Sequence, residues 1–340
     1  MTPPPDHPVI PARKVGVLIV NLGTPDAAEP AAVRRYLAEF LSDRRVVEIP
    51  RLLWQPILRG AILTTRPKKS AHAYAQVWTE DGSPLAAITR AQAAALATAF
   101  GENVQVDYAM RYGRPAIGDK LRALKDAGCE RILVAPLYPQ YCAATTATAN
   151  DSAFAALAAM RWQPALRTLP PYHDDPAYID ALKTSVEQSL AALDWEPDAV
   201  IASFHGMPQR TLELGDPYHC HCRKTGRLLG EALKETLGTR ELMVTFQSRF
   251  GRAKWLEPAT DTVLAALPGS GIRKVAIVAP GFSADCVETL EELAIRGRET
   301  FEEAGGTHFA ALPCLNASAP GIDMLRSILQ RELEGWAPRP

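Results

Sequence analysis

A chain of 340 residues is long enough for two domains of ordinary size. It is 47% hydrophobic and 22% charged with a net charge of −1, so charge gives no reason to expect nucleic acid as a partner. Its longest apolar runs are strand-sized, far below the ~20 residues of a membrane-spanning helix, and six cysteines in a chain this long do not make a secreted disulfide scaffold.

Residues 1–13 open on the proline-rich MTPPPDHPVIP and are expected to form a flexible arm. They lack the apolar centre and cleavage site of a secretory signal, which points to the cytoplasm. KVGVLIVNLG (14–23) then reads as a buried strand and 31–41 (AAVRRYLAEFL) as a helix. The stretch 49–70 (IPRLLWQPILRGAILTTRPKKS) is unusually apolar between prolines and basic residues. It is either an ordinary packed helix or an exposed lip for a flat greasy ligand or a membrane face. VQVDYAM (104–110), the helical 116–128 and RILVAPLYP (131–139) continue the alternation. The second half repeats it with DAVIASFHG (198–206), LMVTFQSRFG (242–251) and KVAIVAPGF (274–282). Near-continuous apolar strands separated by amphipathic helices predict α/β architecture with open parallel sheets.

The halves echo one another in order. NLGTP pairs with FHGMP, MRYGRP with SRFGRA, and ILVAPLYPQYCAATT with AIVAPGFSADCVETL. Three echoes in register predict two similar α/β domains. All six segments follow strands, where open sheets bind ligands, so a cleft lined by both sets of loops is expected. No G-x-G-x-x-G follows the first strand and no phosphate-loop motif occurs, which disfavours a nicotinamide dehydrogenase.

Two candidate centres lie in SFHGMPQRTLELGDPYHCHC (203–222). Its crowded end holds His219, Cys220, His221 and Cys222, but C-x-C spacing is a weak zinc signal. Its solitary His205 ends a strand, where an imidazole serves as a base or metal contact or simply bonds its own loop. In PGFSADCVETLEEL, Asp285 and Glu288 have the spacing of a capping box, while Glu288 and Glu292 are one helical turn apart with Glu291 beside them. Carboxylates stacked at a cleft suit a divalent cation or a path for protons.

NLGTP, YPQY, SFHGMP with GDPY, TFQSRFGRAKWLEP and GFSADCVETLEEL, in that order between about residues 14 and 317, resemble the segments of the ferrochelatase family, which inserts ferrous iron into a porphyrin. The wording is similar to the protoporphyrin type of Gram-negative bacteria. The resemblance implies two Rossmann-like domains with the active-site cleft between them, over 14–170 and 171–317, and a C-terminal helix and tail (318–340) packing back. It implies His205 and Glu288 as the catalytic pair contacting the Fe²⁺ substrate, with Asp285 and Glu292 on a proton or metal path. Arg111, Tyr112, Ser248 and Trp255 are expected to line the porphyrin pocket, with Leu53 and Ile57 on the apolar lip. Some members carry histidine where this chain has Cys286. The chemistry requires no cofactor, but some ferrochelatases hold a [2Fe–2S] cluster; Cys142, Cys220, Cys222 and Cys314 are the candidate ligands here, in the absence of a C-terminal cysteine group. Porphyrin and iron are the expected partners, with peripheral contact to the inner membrane through 49–70; no oligomeric state follows from the sequence. Two alternatives stay open: a chelatase for another tetrapyrrole such as coproporphyrin III, or a porphyrin- or haem-binding carrier that does no chemistry.

Overall fold

The computed structural model describes residues 14–337, residue 252 excepted. The arm expected over 1–13 lies outside the described residues, as do the last three of the tail. Four strands, β1 (Lys14–Gly23), β2 (Val104–Tyr112), β3 (Cys129–Pro136) and β4 (Ala165–Thr168), form one parallel sheet in the order β2-β1-β3-β4. Four more, β5 (Ala199–His205), β6 (Leu242–Gln247), β7 (Lys274–Val278) and β8 (His308–Ala311), form a second in the order β6-β5-β7-β8. The topology is the same in both. Val17, Leu18, Ile19 and Val20 are all buried because helices cover both faces of the sheet, which is why β1 reads as an unbroken apolar run.

The repeat is closer in space than in wording. Met110 N–H donates to the Pro115 carbonyl (2.7 Å) as Phe246 N–H donates to that of Pro258 (2.9 Å). MRYGRP therefore corresponds to FQS and the later Pro258, rather than to SRFGRA. The second half carries a longer excursion between its strand end and its proline, and that insertion displaced the echo. The repeat also extends further than the sequence shows: a wide-turn π-helix follows β3 at Ala143–Ala147, and a longer one follows β7 at Glu288–Gly297.

The two halves share a core. One cluster joins Leu133 and Leu137 to Phe204 and Phe246, and continues into Leu325 and Ile328 of the helix Ala319–Glu332. That helix starts where Ser318 Oγ accepts from Gly321 N–H (3.3 Å) and packs on the helices Pro84–Phe100 and Pro176–Ala191. Gln92, buried on the first of these, donates to the carbonyls of Ser283 and Asn316 (both 3.0 Å), a polar tie across the halves.

The 49–70 stretch combines both sequence readings. Helix Arg51–Ile57, a wide turn Leu58–Ile62 and helix Leu63–Val77 run on without a break. Leu58 and Leu63 pack on Leu41, and Trp54 Nε1 donates to the Leu41 carbonyl (2.6 Å). The opposite side is bare: Leu52 is 91% and Leu53 64% exposed, with Ile49 and Ile57 near half.

Candidate active site

His205 is the last residue of β5, in register with Gln247 at the end of β6. Its Nδ1 lies 2.7 Å from the Gly206 carbonyl oxygen. A carbonyl only accepts, so Nδ1 carries the hydrogen, and Nε2 of the neutral ring is left as the lone-pair base. Tyr218 Oη donates to the His205 carbonyl (2.9 Å) and fixes the strand end from the helix Tyr218–Ala232. Asp216 explains GDPY: it accepts from Tyr218 N–H (3.0 Å) and, across the halves, from Ala143 N–H (2.8 Å).

The acids sit on the π-helix Glu288–Gly297, so the simple α-helical stacking read from E-x-x-x-E is modified. Glu292 is held by one residue: Ser248 donates its backbone N–H (2.7 Å) and its Oγ–H (2.5 Å) to the carboxylate. Ser248 adopts φ +65° to do so, an uncommon conformation for a non-glycine residue and a strain found at functional sites. Burial raises the Glu292 carboxyl above its ordinary range; Ser248, His205 and Arg296 pull it down and Glu288 pushes it up again. A folded-state value above the unfolded one means that Glu292 favours folding at low pH and opposes it as pH rises through the folded value. Glu292→Gln is accordingly expected to raise Tm at neutral pH, with a gain that shrinks on acidification; scanning calorimetry over pH checks it.

The other acids have different surroundings. Asp285 is buried and accepts from Thr289 Oγ1 (2.8 Å) and Asn316 Nδ2 (2.6 Å), so its oxygens brace the start of the π-helix. Glu291 is buried in an ion pair with Arg296 (2.9 Å). Cys286 sits fully buried beside Glu288, and burial together with that carboxylate pushes its thiol well up.

Sequence reasoning missed the opposite wall. Tyr36 and Tyr74 are contributed by the helices Pro30–Phe40 and Leu63–Val77 of the first half. Burial raises both hydroxyls well above the ordinary range, and each also feels the Glu288 charge. The helix Leu63–Val77 packs directly on the π-helix. No local signal marks these tyrosines, since they stand on helices rather than at strand ends.

Arg111 and Tyr112, at the end of β2, both bond Asp43, which also accepts from Thr148 Oγ1 (2.5 Å). Burial pushes the Asp43 carboxyl up, but the bonds from Thr148, Arg45 N–H and Tyr112, with the Arg111 charge, outweigh it and hold it low. Asp43, Arg45, Arg111 and Tyr112, with Leu58 and Leu63, line a cavity of about 850 Å³; Leu53 and Ile57 of the lip are not in its wall, nor is His205. Trp255 stands over the turn after His205, its ring 3.4 Å from where a Gly206 Cβ would lie, and its Nε1 donates to the Phe250 carbonyl (2.9 Å). Arg66 stacks on Phe250 at 4.7 Å, linking the lip helix to this loop.

The crowded H-C-H-C end splits around its helix. His219 stacks on Phe246 (5.6 Å), His221 stacks on His173 (3.6 Å) and accepts from Tyr141 N–H (3.2 Å), Cys220 is exposed and Cys222 is buried. Cys142 and Cys222 are near neighbours, but Cys314 lies against Asp285 and Cys286 in a separate core cluster. The four cysteines therefore do not fit one cluster, and among the described residues no three His, Cys, Asp or Glu side chains are grouped to hold a metal. Burial also pushes the Cys142, Cys222 and Cys314 thiols up.

Burial first, then the stacked His221, lowers His173 to about 4. Its folded value lies below the unfolded one, so the stability it contributes is present above about pH 6.5 and lost as pH falls toward the folded value. His173→Phe, which keeps the stack and removes the titration, should flatten the fall of Tm across that window.

The family described as Ferrochelatase matches residues 14–333. Two relatives named ferrochelatase are similar along almost their whole length. One, from Rhizobium meliloti strain 1021, is 56% identical over 97% of this chain and 98% of its own. Another, from Allorhizobium ampelinum, is 55% identical over 98% of this chain and 97% of its own. Among solved structures, SirB from Bacillus subtilis superposes with a TM-score of 0.56 at 13% identity, covering 95% of this chain and 98% of SirB. CbiX, described as the terminal enzyme of siroheme biosynthesis in denitrifying bacteria, does so with 0.54 at 16% identity, covering 93% and 98%. At such identities the likeness is one of fold.

Proposed function

The chain belongs to the ferrochelatase family, and we propose that, in inserting ferrous iron into a porphyrin for haem biosynthesis, it uses His205 as the base and Glu288 and Glu292 as the facing acids. The enzyme is a lyase that exchanges one divalent cation for two pyrrole protons. Protoporphyrin IX is the substrate we infer. A free porphyrin is nearly planar with its N–H groups pointing inward, so a bent ring, strained at the expense of remote contacts, exposes the nitrogen lone pairs. Nε2 of His205 takes one pyrrole proton at a time, releasing the first before it accepts the second. Glu288 exchanges protons or guides Fe²⁺, and Glu292, whose carboxyl is raised, is suited to hold a proton in transit.

One observation carries this reading: His205, its Nδ1 hydrogen taken by Gly206, ends β5 in register with Gln247, whose side chain bonds the Glu288 carbonyl and whose neighbour Ser248 anchors the Glu292 carboxylate. A passive porphyrin carrier has no use for that arrangement. Anaerobic incubation with Fe²⁺ and either protoporphyrin or coproporphyrin, followed by metalloporphyrin absorbance, tests it. Faster turnover of coproporphyrin would overturn the substrate, and turnover of neither would overturn the reaction.

We also infer a cytoplasmic enzyme that touches the membrane from its inner side. Among the described residues no helix is long and apolar enough to cross a bilayer. Support for contact comes from the bare Leu52 and Leu53, flanked by Arg51 and Arg59. Leu52→Asp should sharply lower sedimentation with anionic vesicles while leaving turnover of detergent-solubilised porphyrin intact; unchanged sedimentation sinks the contact.

A further inference from the structure

Gln247 occupies the place where the two catalytic banks meet. Its backbone carbonyl accepts from Gly206 N–H at 2.7 Å, directly after His205. A Cβ on Gly206 would lie 2.5 Å from that same oxygen, so the turn closes on Gln247 only because the residue is glycine. Its side chain reaches the other way: Nε2 donates to the Glu288 carbonyl at 2.9 Å. The residue is 3% exposed.

The Glu288 carbonyl can only accept, so the NH₂ end of the amide faces it and Oε1 is turned to Ser203. Ser203 Oγ donates to Oε1 at 2.8 Å, and Ser203 itself meets Thr260 Oγ1 at 2.8 Å, which meets Thr245 Oγ1 at 2.8 Å. Each hydroxyl has one hydrogen to give. Because Oε1 can only accept, the row must run Thr245 to Thr260 to Ser203 to Gln247. Both ends of the amide thus meet a matched partner. All three hydroxyl residues are buried, so water does not compete for them.

The element held this way needs holding. Glu288 is the first residue of a π-helix, a geometry that α-helix formation tends to replace. The next residue, Ser248, anchors Glu292 one turn further along. Gln247 therefore ties the His205 strand end and the first turn of the acid-bearing helix to a single peptide unit.

We propose that Gln247 is a positioning residue for iron insertion, setting the placement of Glu288 relative to His205. The inference rests on the roles given to those two residues, and goes beyond them by naming what fixes their spacing. A misplacement of about 1 Å costs up to 10²-fold in rate, and it does so without loosening remote ligand contacts.

Steady-state kinetics with three variants test it. Gln247→Leu should lower kcat about 10²-fold with KM for porphyrin changed less than about two-fold. Gln247→Glu keeps the Ser203 acceptor but sets a carboxylate oxygen against the Glu288 carbonyl at neutral pH. Protonation restores the donor, so the ratio of its kcat to the parent's should climb as pH falls. A purely structural role would not give that climb, and this near-isosteric variant carries the test if Gln247→Leu does not fold. A flat ratio, or a Gln247→Leu kcat within about two-fold of the parent, overturns the proposal. His205→Ala in the same assay separates the two readings: parental turnover there overturns the base assignment, whereas a dead His205→Ala beside an unimpaired Gln247→Leu overturns only the positioning role.

Discussion

His205→Ala is expected to lower kcat for iron insertion by about 10³-fold, and Glu288→Gln by about 10²-fold, within the range that a positioned base or acid contributes. KM for the porphyrin should move little, because the ring is held by groups away from the proton transfer. The physical case for the larger effect is the tautomer. The Gly206 carbonyl takes the Nδ1 hydrogen and leaves Nε2 as the acceptor. The double variant should fall far short of the product of the two losses, since both groups serve one exchange of protons for metal. Circular dichroism matching the parent is the control. Near-normal turnover in both single variants would remove the assignment altogether.

The largest stability effect should come from Gly23→Ala. Gly23 ends β1 at φ +108°, and a Cβ there would lie 1.8 Å from the Tyr112 carbonyl oxygen on the paired strand. Gly23 has little room to shift, because β1 is the inner strand between β2 and β3, and Tyr112 is held by its bond to Asp43. A clash with backbone combined with forbidden dihedrals places the loss at about 4 kcal/mol or more, a large share of an ordinary domain's stability. Urea unfolding would show it, or the variant would not accumulate. Gly60→Ala is the counter-example: it stands in the helical lip with no atom within 4 Å, and should stabilise by about 0.5–1 kcal/mol.

Much of this site was legible because it follows strands. His205, Arg111, Tyr112 and Ser248 all stand at or next to a strand's carboxyl end, and apolar runs announce such strands. β4 and β8 were not legible: each has four residues, and a sheet edge supplied by β3 or β7 makes them strands rather than any propensity of ALRT or HFAA. Asp43 was missed because its role is to bond Arg111, Tyr112 and Thr148, partners brought from other parts of the chain. Tyr36 and Tyr74 were missed for a similar reason, since two helices must pack before either meets the acids. The Ser248–Glu292 link depends on a positive φ that serine does not advertise. E-T-L-E-E-L was read at α-helical spacing, and the wider turn follows from packing and from Gln247 and Ser248 rather than from any local code. The H-C-H-C cluster misleads in the opposite sense: dense in sequence, its members are distributed around one helix into four different environments.

The ten-residue π-helix Glu288–Gly297 also sets a rule for how this chain can change length over generations. Removing one residue from it would let the run close as an ordinary α-helix, a gain in local stability that would swing Glu292 away from Ser248. Such a deletion is favoured by thermostability and eliminated by the need for turnover. Gaps between relatives should therefore collect in exposed stretches such as residues 249–251, while this run keeps its length even where its letters drift.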